Sequence, residues 1–526
     1  MTTVPVAKPD WRASVKTFAH PRVITLLFLG LSAGLPLLLI FSSLSLWLRE
    51  AGVERATVTF FSWAALAYSF KFVWAPLVDR LPVPWLTNLL GRRRAWMLVA
   101  QLGIIGAIVW MACLDPAAGG TSLTKMALAA VMLGFSSATQ DIVIDAYRIE
   151  SAEPSLQAMM SATYIAGYRI GMLAAGAGAL YLASYFGSEL GTYDYAAWQM
   201  TYLAMAAVML IGVATTLIIR EPELEVPQAN GDVTHRVRDY LGFLGLFLCA
   251  VLTFVGTFNL SAELVPWLAA SLGAAGAWPV VSFAIEALRL GLSIAAGAGV
   301  AAILVASKLV NRDMAVTTYV EPVGEFFNRY GANLAWLLLA LVGLYRISDI
   351  VLGVISNVFY QDLDFTKTEI ATVVKTFGLF MTILGGFLGG LLSMRFGVMR
   401  ILFLGALLTV VTNLFFIALA VVGKHELLLY FVISADNLTA GLASAAFIAF
   451  LSSLTSVRFT AVQYAIFSSL MTLIPKVLGG YSGTLVDSFG YVNFFIIAAF
   501  LGVPVLGLVW LVSRRVQLDE PRFKEG

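Results

Sequence analysis

The sequence predicts an all-α polytopic membrane protein, and three observations predict it. Of 526 residues 60% are hydrophobic and only 12% charged, against about 25% charged in soluble domains. Mean hydropathy is +0.87. Apolar runs long enough to cross roughly 30 Å of hydrocarbon recur from one end of the chain to the other, and in lipid each run must bond its own backbone as a helix. Cys113 and Cys249 both lie inside such runs, so neither a disulfide framework nor a thiol metal site is expected, and no cofactor is implied. The net charge of +2 gives no reason to expect a nucleic-acid partner. No Gly-rich Lys-Ser/Thr loop of an ATPase is present. His20, His235 and His425 are scattered over terminal and loop positions, which disfavours a membrane enzyme built on gathered acid–base or metal-ligating groups.

Taken in order, residues 1–22 form a tail with Lys8, Arg12, Lys16 and Arg22. It lacks a short apolar core with a small-residue cleavage site, so the first span is expected to remain as an uncleaved anchor. Runs 23–48, 57–78, 95–114, 125–147, 157–183 and 199–219 make a first group of six within 23–219. Residues 220–332 then hold two extra runs, 240–256 and 280–306. The first of these is the least secure, with barely about 17 residues before Thr257, Asn259 and Ser261. After Pro322, residues Val323, Phe326, Phe327, Tyr330 and Leu334 have the i, i+3, i+4, i+7 spacing of an amphipathic helix lying along the interface. Runs 333–360, 369–394, 400–422, 427–453, 460–486 and 491–513 make a second group of six within 333–513, and 514–526 is a tail. About fourteen helices are therefore expected. With that count, one set of alternate loops plus both tails collects roughly 22 Lys and Arg against about 5 in the other set, which places both termini in the cytoplasm.

An internal repeat is visible where APLVDR (75–80) and GLLSMR (390–395) share a small residue, a Leu two places on and an Arg five places on. Each leads into glycine and arginine: Gly91 with Arg92, Arg93 and Arg94, then Gly397 with Arg400. Parallel halves related by an axis along the membrane normal suit a transporter in which one half rocks against the other. This small-x-Leu-x-Asp-Arg…Gly-Arg-Arg pattern resembles the loop signature of the major facilitator superfamily, which implies two six-helix halves, here with two inserted helices. Six further stretches, YSFKFVWAPLVDR (68–80), TQDIVIDAYR (139–148), GYRIGML (167–173), YRISD (345–349), DNLTAG (436–441) and QYAIFSSL (463–470), are together similar to the AmpG-type anhydromuropeptide permeases. Met394 stands where the first repeat has Asp79, so the second gate is expected to lack a carboxylate.

Six basic residues, Lys71, Arg169, Arg289, Arg346, Lys375 and Lys476, fall inside predicted spans. At about 2.5–3.5 kcal/mol each in lipid, they must face partners or water. Glu286 with Arg289 and Arg346 with Asp349 have the i, i+3 spacing of intrahelical pairs. The other four have no acidic residue within a turn, so positive charge exceeds negative inside the bundle and an anionic substrate is expected. Depth counting puts Arg169, Arg346, Asp349 and Lys476 near mid-membrane. Gln140, Tyr164, Tyr168, Tyr345, Asn437, Gln463 and Tyr464 offer amide and aromatic contacts for sugar rings. Asp141, Asp349 and Asp436 are candidate proton carriers. Asp145 and Arg148 are expected to reach the cytoplasmic interface, where pairing or hydration makes them tolerable, with Asp141 one turn deeper as a structural member of that ladder or as a site residue that binds a proton or orients Arg169 or Lys71. Glycines cluster as Gly167, Gly171, Gly176 and Gly178 in the fifth run and as Gly385, Gly386, Gly389 and Gly390 in the tenth. That spacing suits close helix packing or sliding.

The resemblance implies a non-enzymatic permease of the Gram-negative inner membrane. It would carry N-acetylglucosaminyl-1,6-anhydro-N-acetylmuramyl peptides from periplasm to cytoplasm by proton-coupled alternating access, for peptidoglycan recycling. Its partners would be that substrate, protons and the lipid bilayer, and it would act as a monomer. The resemblance also implies a gate of Asp79, Arg80, Arg92 and Arg93, with Asp79 against a helix N-terminus of the other half. A related carrier of another anionic amphipathic compound such as acetyl-coenzyme A, or an exporter, would satisfy the same charge excess.

Overall fold

The computed structural model describes residues 17–53, 61, 67–151, 154–188, 193–222, 237–263, 279–366, 369–479 and 482–515. Among them twelve helices are long and apolar enough to cross a membrane. The two other expected runs are not among these twelve. Run 57–78 lies partly outside the described residues and continues as Ala67–Phe70, Lys71–Val73 and α2 (Ala75–Arg80), and run 280–306 is α8 (Pro279–Ala306). The weakly predicted seventh run is α7 (Val237–Leu260).

One compact unit comprises Met1–Val78, Pro82–Glu225 and Tyr330–Gly526. Its first half contains α1 (Pro21–Leu38), α3 (Arg92–Ala112), α4 (Gly120–Ser151), α5 (Pro154–Leu173) and α6 (Tyr195–Ile218). Helix α1 starts with Pro21 at its first position and the His20 side chain accepting from the Arg22 N–H at 3.3 Å. Proline gives up no hydrogen bond there. Asp194 caps α6 in the same way, accepting from Ala196 N–H at 2.8 Å. Helices α1 and α5 touch backbone to backbone: a methyl group at Gly34 would lie 2.0 Å from the Tyr168 carbonyl oxygen, and one at Gly167 would lie 1.9 Å from that of Leu27. Only glycine permits that approach. The fifth-run glycines Gly167 and Gly171 thus pack within their own half.

After Gly331, the second half follows as α10 (Ala332–Leu344), α11 (Ile347–Asp362), α12 (Gly378–Phe396), α13 (Val398–Val422), α14 (Glu426–Leu454), α15 (Thr460–Gly479) and α16 (Ser482–Arg515), the last kinked at Gly490. His425 caps α14 by accepting from Leu428 N–H at 3.2 Å, so two of the three histidines serve as helix caps. His235 lies outside the described residues.

The repeat extends beyond the loop motif. Gly91 and Gly397 both adopt left-handed φ, 88° and 91°, immediately before α3 and α13, a conformation that glycine reaches without strain. Deeper in each half a serine, an amide and a glycine meet. Ser32 of α1, Gln101 of α3 and Gly212 of α6 come together, with a methyl at Gly212 lying 2.6 Å from Ser32 Cβ and 3.2 Å from Gln101 Nε2. Ser348 of α11, Asn413 of α13 and Gly502 of α16 do the same, with Asn413 Nδ2 donating to Ser348 Oγ at 2.7 Å and a methyl at Gly502 lying 3.4 Å from that oxygen.

The second compact unit comprises Asp79–Leu81 and Val226–Arg329. It pairs α7 with α8, where Gly297 lets the Ala250 carbonyl approach. Arg289 closes the end of α7: Nη2 donates to the Phe258 carbonyl at 2.6 Å, Nε donates to Ser261 Oγ at 3.2 Å, and the guanidinium lies 4.1 Å from the Phe258 ring. The Glu286 side chain lies outside the description. Arg80 Nη2 donates to the Thr317 carbonyl at 2.9 Å. The amphipathic helix is α9 (Glu321–Tyr330), with Phe326 buried and Val323 exposed. Gly331, at φ 73°, ends it, so Leu334, expected on the same helix, belongs to α10.

Candidate functional site

Polar side chains collect along α4, whose 32 residues extend about 48 Å, well beyond a hydrocarbon core. Lys71 Nζ lies 3.6 Å from Asp145 Oδ2, and Arg148 Nη2 lies 3.4 Å from Asp145 Oδ1. Asp145 is 6% exposed and Arg148 0%, so of the two expected alternatives pairing holds for both and hydration does not. The physical reason is that α4 runs on past Arg148 while the start of α5, α14 and α15 cover it. Arg148 Nη1 donates to Ser452 Oγ of α14 at 2.7 Å, to Ser161 Oγ at 3.2 Å and to Gln157 Oε1 at 3.3 Å. Its guanidinium lies 5.1 Å from the Tyr464 ring of α15.

One turn deeper, Asp141 lies near Tyr164, Lys71 and Asp145. Its Oδ1 is buried with no hydrogen-bond partner among the described residues. Tyr68 donates to Ser137 Oγ at 2.6 Å and sits close to both Asp141 and Tyr168. Tyr164 and Tyr168 pack 6.1 Å apart. Lys71, Asp141, Tyr164, Tyr168 and Tyr464 therefore form one neighbourhood.

A second neighbourhood sits where the helical path breaks at Tyr345 and Arg346, between α10 and α11. Arg346 Nη2 meets Asp349 Oδ2 at 2.5 Å, both about one-quarter exposed. Asp349 has Asp436 close by, and Asp436 has Tyr360. Among the described residues no cation pairs with Asp436. Arg169, half-buried on α5, is within electrostatic reach of Arg346 and Asp349 and makes no ion pair among the described residues. Lys375 is exposed in a π-helical stretch, Ile370–Phe377. The Lys476 side chain lies outside the described residues.

Other candidates turn into helix packing. Gln140 Nε2 donates to Ser32 Oγ at 2.8 Å. Tyr345 stacks on Phe447 at 4.4 Å and donates to the Leu402 carbonyl at 2.9 Å. Asn437 Oδ1 accepts from Thr382 at 2.9 Å, and Gln463 Oε1 accepts from Ser456 N–H at 2.7 Å.

At the arginine-rich end the two halves meet. Ala158, Ala162 and Ile165, spaced four and three apart along one face of α5, lie against α12 and α14 of the other half. A methyl at Gly390 would lie 2.9 Å from Ala162 Cβ, Ile165 packs with Ala445, and Phe18 meets Phe387 edge-on at 5.1 Å. Arg169 is the next residue on that face. The carboxylate at the first residue of α15 is that of Glu150, which accepts from Thr460 Oγ1 at 2.6 Å while Arg93 binds it through Nη2 at 2.5 Å and Nε at 2.9 Å. Arg92 stands 3.9 Å away, and Asp79 is buried at the end of α2. Glu221 accepts from the N–H groups of Arg93 (2.7 Å) and Arg94 (3.1 Å), which caps α3. Glu150 and Glu221 escaped sequence reasoning. The signal for Glu150 was there, since it follows Arg148 in YRIE, but the apolar run was closed at 147.

The family model described as Major Facilitator Superfamily matches residues 23–350 and 323–526. "Putative transporter AmpG 4" of Rickettsia felis is 29% identical over 503 residues, covering 96% of this chain and 99% of that protein. "Anhydromuropeptide permease" of Escherichia coli K12 is 28% identical over 513 residues, covering 97% and 83%. Among solved structures, the transporter FucP in its outward conformation aligns with TM-score 0.57 at 12% identity, covering 95% of this chain and all of that one. The proton:xylose symporter XylE aligns with TM-score 0.54 at 11% identity, covering 95% and 96%.

Proposed function

We propose, from the premise that this chain belongs to the Major Facilitator Superfamily and is a multi-pass membrane transporter rather than an enzyme, that it imports anhydromuropeptides from periplasm to cytoplasm. The single observation that carries the anionic substrate is Arg169. It extends the α5 face that meets the other half, reaches toward Arg346, and makes no ion pair among the described residues. A mid-membrane cation held at that cost has an anion to receive, and the carboxylates of a peptide stem supply one. Lys71 and Lys375 add positive charge at other levels, while Tyr164 and Tyr168 offer ring faces to sugars. The near-full-length relatives called AmpG and anhydromuropeptide permease support that substrate class.

In this reading the halves close at the arginine-rich end, which the charge count assigns to the cytoplasm, so substrate enters from the periplasmic side. Proton coupling falls to Asp141, Asp349 and Asp436, carboxylates inside the spans with room for a proton. The test is uptake of labelled anhydromuropeptide into proteoliposomes. Accumulation that rises with an imposed inward proton gradient is expected; a folded preparation that takes up none, with or without the gradient, overturns the reading.

A further inference from the structure

We propose that Asp145 couples the occupancy of Lys71 to the clasp that Arg148 makes across the two halves. Three buried groups form a line. Lys71 lies 3.6 Å from one oxygen of Asp145, Arg148 lies 3.4 Å from the other, and Arg148 reaches on to Ser452 at 2.7 Å and to the Tyr464 ring at 5.1 Å, both in the other half. Lys71 stands on the approach to α2, beside Asp141 and its buried unpartnered oxygen. Arg148 stands at the closed end. Among the described residues Asp145 is the one carboxylate at ion-pair distance from both.

One carboxylate shared by two cations binds each less tightly than it would bind one. In this state the division leaves Arg148 free to extend to Ser452 and Tyr464. An anion arriving at Lys71 would draw the ammonium away, and the undivided charge of Asp145 would then pull the guanidinium back from its cross-half partners. The seam at Ala158, Ala162 and Gly390 would lose this polar clasp, keeping only that of Glu150 with Thr460 among those described, and would open more readily. The two contacts at 3.4 and 3.6 Å are long for ion pairs, as expected of a carboxylate held between two claims. This inference rests on the alternating-access reading above and adds the residue by which the site addresses the gate.

Labelling kinetics test it on the full-length protein in nanodiscs. Cys113 and Cys249 are both exposed and are replaced by serine, and the buried Ala158→Cys reports opening of the seam by its rate with a maleimide. Without substrate, Lys71→Gln leaves Asp145 undivided and is expected to label about fivefold faster or more than the parent. Asp145→Asn removes the pull and is expected to label more slowly, the double variant should follow Asp145→Asn, and Lys71→Arg should restore the parent rate. Opposite signs are the signature, because a merely structural cluster would loosen in both variants. Unchanged labelling of Lys71→Gln, or acceleration in both single variants, overturns the proposal. Should Lys71→Gln not fold, Asp145→Asn decides alone: slower labelling supports the coupling and faster labelling overturns it. Anhydromuropeptide should accelerate the parent and not Lys71→Gln. A parent that ignores this ligand while the two variants still move in opposite directions overturns the substrate assignment and leaves the coupling standing.

Discussion

The two halves share a fold and spend their charges differently. In the first half Lys71, Asp145 and Arg148 form one buried line, and the Arg93–Glu150 pair is buried farther along α4. In the second half Arg346 and Asp349 form a pair about one-quarter exposed at a break in the helical path, with Asp436 beside it. Burial makes a charge network rigid, because breaking any member strands another charge in low dielectric. Partial hydration makes a pair easy to exchange for a ligand. The first half thus exchanges partners only at a higher cost than the second.

Removing one cation from each half is the hardest test of that contrast. Arg148→Ala should lower stability by about 3–5 kcal/mol, by stranding Asp145 and emptying a fully buried volume, and should abolish uptake. Arg346→Ala should cost only about 0–1 kcal/mol in unfolding, yet weaken substrate affinity tenfold or more. Thermal unfolding and proteoliposome uptake read both, and equal destabilisation would dissolve the distinction. Glu150→Gln comes next, since it weakens both Arg93 and the Thr460 contact across the halves. It should speed labelling at Ala158→Cys by a few-fold while leaving affinity unchanged, and loss of affinity instead would move Glu150 into the site.

The serine–amide–glycine meeting points sharpen what the halves have in common. Gln101→Leu and Asn413→Leu should each cost about 1–2 kcal/mol, because each leaves a buried partner, Thr216 or Ser348, without its amide. Clearly unequal losses in denaturation would show that only one half depends on the arrangement. The smallest effect lies outside the spans. Glu369 is held below the usual carboxylate range by the Thr366 backbone N–H at 2.6 Å and by Lys424 at 3.0 Å. Its folded pKa is the lower one, so the local order it provides is present above the unfolded value and is lost as pH falls through the folded one. Hydrogen-exchange protection at Thr366 and Glu369, taken relative to the intrinsic rate at each pH, should fall on acidification, and Glu369→Gln should remove that response.

The fold was legible because the solvent dictates it: apolar runs in lipid have no alternative to helices, and the runs fell where the helices are. Local pairs were legible too, as with Arg346 and Asp349 three residues apart. Pairs between helices were not. Lys71 finds Asp145 across 74 positions of sequence, and no spacing rule reaches that far. That Asp145 and Arg148 are buried and paired rather than hydrated was not legible, because hydropathy sees where an apolar run stops and not that other helices cover its end. Leu334 was misplaced because its periodicity continues smoothly through Gly331, whose backbone does not.

The backbone contact between α1 and α5 has a mechanical meaning. Two rods welded along their length resist bending far more than either alone, so they turn as one stiff beam. Helix α5 carries the face that meets the other half at one end and Arg169 farther along, so a small tilt that frees the first must displace the second. At Gly34 and Gly167 even one added methyl would pry the beam apart and soften the lever, with every charge still in place.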